Sequence, residues 1–378
     1  MAMGAAIIGL GFVGRAHLEG LRRLGISVRG ILGSSPERTA DAVRELKLDR
    51  GYSSIEELLG DASVSAVHIC TPNNLHYQQA RAALEAGKHV MCEKPLAMDT
   101  EESGSLVELS RRLKLVGAVT YNLRYYPLCH EARSIVAGGA IGEPRLVQGS
   151  FLQDWLLYPT DWNWRLQPEL GGTVRAVADI GTHWVDLVTW ITGRRAIAVC
   201  ADLATVIPVR KRPRGRVQTF QQAVGETDDI KITTDDYASI LLRLEGGVHG
   251  ICTVSQVSAG RKTRLWFEVD GSEGSLAWNS EDPNRLWLGR RREPNQEIIK
   301  DPSLLSPAAR GYAAYPGGHA EGYPDTFVQL FKDFYRYLEA ADFVEARTFP
   351  TFETGHEEMR LCEAVIESSR HERWVTLA

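Results

Sequence analysis

Cysteine is scarce and dispersed: the six at positions 70, 92, 129, 200, 252 and 362 form no CxxC pair. A zinc site or a disulfide framework is therefore not expected, and a reducing compartment is. No apolar run approaches the roughly 18 residues that a membrane span requires. Nor is there an excess of basic charge: 43 Lys and Arg stand against 48 Asp and Glu, a formal net charge of -5. That balance gives no general attraction to nucleic acid or to an anionic membrane. The chain enters directly into Ala5-Ala6-Ile7-Ile8, without the basic segment and cleavage site of a secretory leader. Internal repeats and low-complexity tracts are also missing. The expectation is a cytoplasmic protein whose partner is a small molecule.

What is present suggests two domains, since 378 residues exceed one ordinary core. Up to about residue 120, short apolar runs (5–9, 28–32, 66–71, 89–93, 116–121) alternate with helical patterns (14–24, 36–46, 54–59, 76–86, 100–114). That alternation predicts a parallel sheet flanked by helices. Beyond Arg124, a helix over 127–137 leads to a strand over 145–153, then a helix over 176–193. Strand-like runs follow at 197–207, 235–244, 248–257, 262–269, 273–278 and 285–289. Two helices close the chain, over 324–341 and 353–370, after a Pro-, Gly- and Ala-rich loop at 301–323. The fold class is α/β: a Rossmann dinucleotide-binding domain over 1–122, then an α+β domain over 123–378 with a large open, mostly antiparallel sheet.

Gly9-Leu10-Gly11-Phe12-Val13-Gly14 ends the first strand and opens the first helix. A tight turn at Gly9, close approach to a pyrophosphate at Gly11 and helix–strand packing at Gly14 are what a dinucleotide requires there. The helix N-terminus would face the anion. At the end of the second strand, NAD sites commonly carry an acid for the ribose 2′-hydroxyl. Here the segment is Gly33-Ser34-Ser35-Pro36-Glu37-Arg38. Ser34, Ser35 and Arg38 suit a 2′-phosphate, which favours NADP over NAD; Ser35 before Pro36 also reads as a helix cap.

Lys94 ends the fourth strand at the carboxyl edge, where open α/β sheets bind ligands, and Pro72-Asn73 ends the third. Asp179, His183 and Asp186 stand at i, i+4 and i+7, one face of a helix. Oxidation of a carbinol needs a proton acceptor, and a histidine oriented by a carboxylate supplies one near neutral pH. Core packing of His183 with Asp179 as a cap is the structural alternative; no metal-ligand cluster accompanies them. Trp155, Tyr158, Trp162 and Trp164 interleave with Asp154 and Asp161, a composition suited to a sugar ring or to packing. The basic run Arg210-Lys211-Arg212-Pro213-Arg214-Gly215-Arg216 reads as a solvated loop.

Taken together, GLGFVGRAH at the start, ICTPNNLHYQQA at 69–80, AGKHVMCEKPLA at 86–97 and GG…DIGTHWVDL at 171–187 resemble the Gfo/Idh/MocA oxidoreductase family. The likeness spans the chain in order and spacing. It implies pyridine-nucleotide-dependent oxidation or reduction of a sugar, polyol or glycoside, and homo-oligomerisation, as a dimer or tetramer, through the open sheet. By resemblance, Lys94 contacts the reacting oxygen across a cis Lys94-Pro95 bond, and Asp179 and His183 are the catalytic pair. Thr71, Pro72, Asn73, His76, Glu93, Trp164 and Arg165 fall on cofactor-lining positions. Asn122, Arg124 and Tyr125, with Trp155 and Trp162, fall on the substrate side. No catalytic position of the pattern is substituted. Rival readings are a glycoside-processing enzyme that oxidises transiently with tightly held NAD, and a non-catalytic NAD(P)-binding regulator.

Overall fold

The computed structural model describes residues 3–215, 225–341 and 346–377. Its elements begin with β1 (Gly4–Ile8), α1 (Phe12–Arg23), β2 (Ser27–Leu32), α2 (Pro36–Leu46) and α3 (Ile55–Gly60). Next come β3 (Ala66–Ile69), α4 (His76–Glu85), β4 (His89–Cys92), α5 (Thr100–Leu113) and β5 (Gly117–Val119). Then follow α6 (Pro127–Ala137), β6 (Pro144–Leu152), α7 (Pro168–Gly171), a π-helical turn over Val177–Gly181 and α8 (Thr182–Thr192). Strands β7 (Ala196–Ala204), β8 (Val209–Pro213), β9 (Thr227–Lys231), β10 (Tyr237–Leu244) and β11 (Val248–Ser255) come next. The chain continues through β12 (Arg264–Gly271), β13 (Ser275–Asn279), β14 (Arg285–Gly289) and β15 (Gln296–Ile299). It ends with α9 (Pro307–Arg310), α10 (Tyr323–Ala340), α11 (Phe352–His371) and β16 (Val375–Thr376). Among the described residues, no helix is long and apolar enough to cross a membrane.

Two compact units result. The first holds Met1–Asn122 together with Glu169–Gly172 and Phe327–Met359. Its five parallel strands are ordered β2-β1-β3-β4-β5. β1 and β3 are buried on both faces, as their continuous apolar runs require. The order reverses between β1 and β3, which opens the carboxyl ends of those strands as a ligand crevice. The division expected after residue 122 does not account for α10, which packs in this unit. Phe327, Phe331 and Phe334 are buried, with the Phe331 ring 4.8 Å from that of His17 and 4.9 Å from that of His68. Helical spacing identifies such an aromatic stripe but does not say which core it joins. The strand β5 is also completed from afar, Val119 N–H donating to Pro350 O at 3.0 Å.

The second unit holds Leu123–Pro168, Thr173–Thr326 and Arg360–Ala378. Nine strands are ordered β15-β14-β13-β12-β6-β11-β10-β7-β16, and only the β6–β11 pair is parallel. Burial alternates along β10, β12 and β13, so one face is packed and the other open. Val147, Cys252, Ile240 and Val199 lie on the packed side with Trp184 and Leu187 of α8. Trp184 Nε1 donates to Trp266 O at 2.9 Å. A Cβ on Gly149 would stand 2.5 Å from that Nε1, so glycine mid-strand is what lets α8 seat there.

Two expectations are corrected. The helix over 176–193 starts with a π turn, not a regular α turn. Arg210 to Pro213 of the basic run lie in the strand β8, not in a loop: Lys211 pairs with Asp229 of β9 at 3.0 Å, and Arg214, just past β8, pairs with Asp228 and Glu226. Arg216 lies outside the described residues. The 301–323 loop is tied down by the buried Lys300, whose Nζ donates to Tyr315 O, His319 O and Glu321 Oε2 at 2.7 to 2.9 Å.

Candidate active site

At the carboxyl edge of the first unit, β1 runs into a turn that only glycine fits. Gly9 has φ +94°, and a Cβ on Gly14 would stand 2.1 Å from Gly9 O. Gly11 is the N-cap of α1, and a Cβ there would meet nothing within 4 Å. Tight turn, tight packing and open helix end are in the order that a pyrophosphate cradle needs, so the residues present fit a dinucleotide. Phe12 and Val13 form the first turn of α1, with Phe12 exposed. At the end of β2, Ser35 caps α2 by accepting from Arg38 N at 3.3 Å. Ser34 accepts from Arg38 Nη1 at 3.0 Å, with the guanidinium exposed.

The next two strand ends converge on backbone. His76 is fully buried, with Nδ1 2.7 Å from Pro95 O and Nε2 2.9 Å from Thr71 O. Burial lowers its pKa, and the two carbonyls oppose that shift. His76 thus shapes the edge rather than lining it, because neither ring nitrogen faces outward. Asn73 is likewise buried, its Nδ2 donating to Gly171 O at 2.8 Å. Thr71 and Pro72 remain half-exposed at the edge, and Thr71 Oγ1 donates to Gln79 Oε1 at 2.7 Å. The Lys94-Pro95 bond is cis, and Lys94 is half-buried.

Glu93 beside it sits on a buried polar chain. His17 Nε2 is 3.1 Å from Glu93 Oε1, His17 Nδ1 is 2.9 Å from His68 Nδ1, and His68 Nε2 is 2.9 Å from the Tyr335 hydroxyl. Burial and the neighbouring His17 hold His68 well below the usual histidine range, hence neutral. Burial works against the Glu93 carboxylate, but the hydrogen bond from His17 and the positive charge of Lys94 leave it below its ordinary value. With Glu93 ionised the donors run one way: Tyr335 to His68, His68 to His17, His17 to Glu93.

In the second unit, Asp179 lies in the π turn, where 4.4 residues per turn still leave His183 on nearly the same face. Asp235 holds the entrance of that turn, accepting from Arg175 N and, at 3.1 Å, from Val177 N. Asp179 Oδ2 accepts from Gln256 Nε2 at 2.7 Å, and Asp179 Oδ1 is 3.1 Å from Arg165 Nε. Arg165 is set by Asn163, which caps the short turn Trp164–Leu166 at 3.1 Å, and its guanidinium stacks 4.4 Å from the Trp164 ring centroid. His183 is nearly buried, with the Phe151 ring 6.3 Å away. The Asp179 carboxylate is thus held by one donor on each oxygen, four residues before His183.

The comparisons with known proteins decide the class. Residues 3–121 match the oxidoreductase family's NAD-binding Rossmann fold, and residues 129–277 match the GFO/IDH/MocA C-terminal domain. A 1,5-anhydro-D-fructose reductase of Ensifer adhaerens is 35% identical over 83% of this chain and 88% of its own. The chain belongs to the GFO/IDH/MocA oxidoreductase family. A levoglucosan dehydrogenase of Pseudarthrobacter phenanthrenivorans is 29% identical over 99% of this chain and 97% of its own. A solved levoglucosan dehydrogenase in complex with NADH and levoglucosan superposes with TM-score 0.88 at 29% identity, over 99% of both chains. An inositol dehydrogenase homologue complexed with NAD+ from Azotobacter vinelandii gives TM-score 0.87 at 26% identity, over 100% and 97%. This oxidoreductase therefore carries an NAD-binding Rossmann domain.

Other residues expected on the substrate side have different surroundings in this oxidoreductase. Arg124 is turned inward: its Nε donates to Asp186 Oδ2 at 2.7 Å and its Nη2 to Asp186 Oδ1. Asp186, 2% exposed, is held by Arg124 inside the core. Burial pushes its carboxyl up, and Arg124 opposes the shift. Breaking a buried pair of this kind typically costs about 3–5 kcal/mol. Tyr125 is buried against His130 and Tyr312, and Asn122 is buried as well. Trp155 and Trp162 are half-buried around Leu156, Leu166 and Ile232, with Trp155 Nε1 donating to Gln153 Oε1 at 2.8 Å. Asp161 is buried, accepting from Tyr158 N at 2.7 Å. Gln256 had no signal in the sequence, since a glutamine after a strand carries no motif.

Burial pushes the Asp235 carboxyl up to about 6, against the pull of the Arg175 and Val177 N–H groups. The folded value lies above the unfolded one of about 4, so this group's stability contribution is full below pH ~4 and is lost as pH rises through ~6. Its size is on the order of 1–3 kcal/mol. Thermal melts from pH 4 to 8 should show wild-type stability declining through pH 6 more steeply than Asp235→Asn. Parallel profiles would exclude Asp235 as the group responsible.

Proposed function

We propose that this oxidoreductase interconverts a ring carbinol and its ketone on a sugar-derived polyol, anhydrosugar or glycoside. In this reading His183 takes the substrate hydroxyl proton, Lys94 donates a hydrogen bond to the same oxygen, and Asp179 orients and polarises from one helical turn before His183. The bound nicotinamide supplies the two-electron acceptor or donor. The observation that carries the reading is the Asp179 carboxylate, held by a donor on each oxygen on the helix that bears His183. A carboxylate so braced is fixed in orientation, which suits an orienting role and leaves the imidazole as the group that moves the proton. Relatives matching most of the chain support the substrate class. They include a levoglucosan dehydrogenase, a 1,5-anhydro-D-fructose reductase and a myo-inositol 2-dehydrogenase. Half-buried Trp155 and Trp162 offer ring faces suited to a sugar's C–H surface.

The cofactor pocket is read as accepting NADP in preference to NAD, in the cytoplasm, from the missing acid after β2 and the exposed Ser34–Arg38 pair. Ser35 is assigned to helix capping. Self-association is read from the open sheet face. There Trp287, Ala277, Glu268, Gln148, Ile251, Leu241 and Cys200 form one outward ladder across six hydrogen-bonded strand pairs. Leu241 and Ile251, directly paired, are 44% and 45% exposed, more apolar surface than a solvated sheet ordinarily presents.

Absorbance of NAD(P)H over a panel of polyols, anhydrosugars and glycosides should identify a substrate, and no change with any of them would remove the substrate class. On that substrate Lys94→Ala and His183→Ala should each lower kcat by ~10²–10⁴-fold. Near wild-type turnover by both variants would refute the roles given to them. Arg38→Ala should weaken NADP by about 10- to 100-fold, as loss of a charged phosphate contact implies, and leave NAD almost unchanged. Equal weakening of both in fluorescence titrations would leave NAD as the preferred cofactor. Leu241→Glu with Ile251→Glu should convert the protein to monomers in sedimentation velocity; a wild-type monomer would overturn the oligomer.

A further inference from the structure

We infer that Gln256 is the residue that positions Asp179, and that the buried Arg175 decides which way Gln256 points. The inference deepens, and rests on, the reading of Asp179 and His183 given above. Gln256 follows the last residue of β11 and is fully buried. Its backbone is pinned on both sides: its N–H donates to Asp236 O at 3.0 Å, and its carbonyl accepts from Leu156 N at 3.2 Å. A side-chain amide has one acceptor end and one donor end, and only its neighbours decide which faces where. Arg175 can only donate, and its Nη1 is 2.8 Å from Gln256 Oε1. The amide oxygen is therefore committed to Arg175, and the NH2 group is necessarily what meets Asp179 Oδ2 at 2.7 Å.

Arg175 is itself held fast. Its Nη2 donates to Asp236, its Nε is 3.2 Å from Thr234 Oγ1, and Asp236 also accepts from Arg210 Nη2 at 2.7 Å. A chain of charge-assisted hydrogen bonds thus runs from Arg210 through Asp236, Arg175 and Gln256 to Asp179, where Arg165 supplies the second oxygen's donor. Each link is directional, because guanidinium groups only donate and carboxylates only accept. Gln256 is the one neutral link and the one whose direction reverses chemistry: turned over, its oxygen would face a carboxylate. Asp179 is therefore presented in one orientation, with its plane set by donors from two separate segments. That suits an orienting charge and disfavours a shuttling proton.

Two variants test this on the whole chain with the substrate found by the screen above. Gln256→Glu keeps shape and the Arg175 partner but replaces the donor with a second carboxylate, and two carboxylates at that distance share a proton. Gln256→Met is neutral and similar in length but cannot donate. Both should lower kcat by about 10- to 100-fold, with NAD(P)H affinity in fluorescence titration within about twofold of wild type. A double-mutant cycle separates positioning from mere support. In an Asp179→Asn background, Gln256→Met should cost less than about twofold, since the group it positions is already neutralised. An equal loss in both backgrounds would show a purely structural role and overturn the inference. Wild-type kcat in Gln256→Glu or Gln256→Met, with Asp179→Asn impaired, would overturn it while leaving Asp179's role intact. Wild-type kcat in Asp179→Asn would overturn the underlying reading of Asp179 itself.

Discussion

Arg175 is the constraint on which the second unit's site depends. A guanidinium buried to this degree loses its hydration and is tolerated only with partners on its donors. Here Asp236, Thr234 and Gln256 provide them, and Arg175's own backbone N–H is held by Asp235. Lysine would not substitute, because a single ammonium lacks the planar fork that engages three directions at once. Arg175 thereby sets the direction of Gln256, while Asp235 holds the π turn that follows and Arg165 the second oxygen of Asp179. Burial of this much charge is a costly way to build a core. It is a good way to fix one side chain's orientation.

The first unit uses the same physics with weaker charges. Glu93 stands on His17, His68 and Tyr335, a chain in which every donor finds one acceptor when the imidazoles are neutral. His76 joins the backbone of two strand ends from below. The segment bearing Lys94 is thus supported by buried polar groups, and the aromatic face of α10 closes over them in place of water. Loops carrying function are commonly held this way, by a rigid scaffold that leaves few rotamers open.

Membership of an oxidoreductase family narrows the chemistry, and the surroundings of each residue distribute the roles. Arg124 and Asp186 illustrate the distinction. Both have side chains suited to a polar ligand, yet each is satisfied by the other inside the core. Asp179 differs because its partners come from Arg165 and Gln256, one on each oxygen, and leave it partly exposed.

The sequence alone determined the class of each unit and the nucleotide turn. Strand, glycine spacing and helix are contiguous there, so local rules suffice, and Gly9, Gly11 and Gly14 stand as their spacing required. The spacing of the strand-like runs between 197 and 289 likewise points to an open, mostly antiparallel sheet. Tertiary structure decided what depends on distant partners. It paired β8 with the acidic strand β9, moved most of α10 into the first unit, turned Arg124 and Asp186 inward and widened the helix at Asp179. It also supplied Gln256, which lies 77 residues from the acid it touches. Periodicity reports which side of an element is apolar; which buried donor meets which acceptor is set by long-range packing, and no local pattern encodes it.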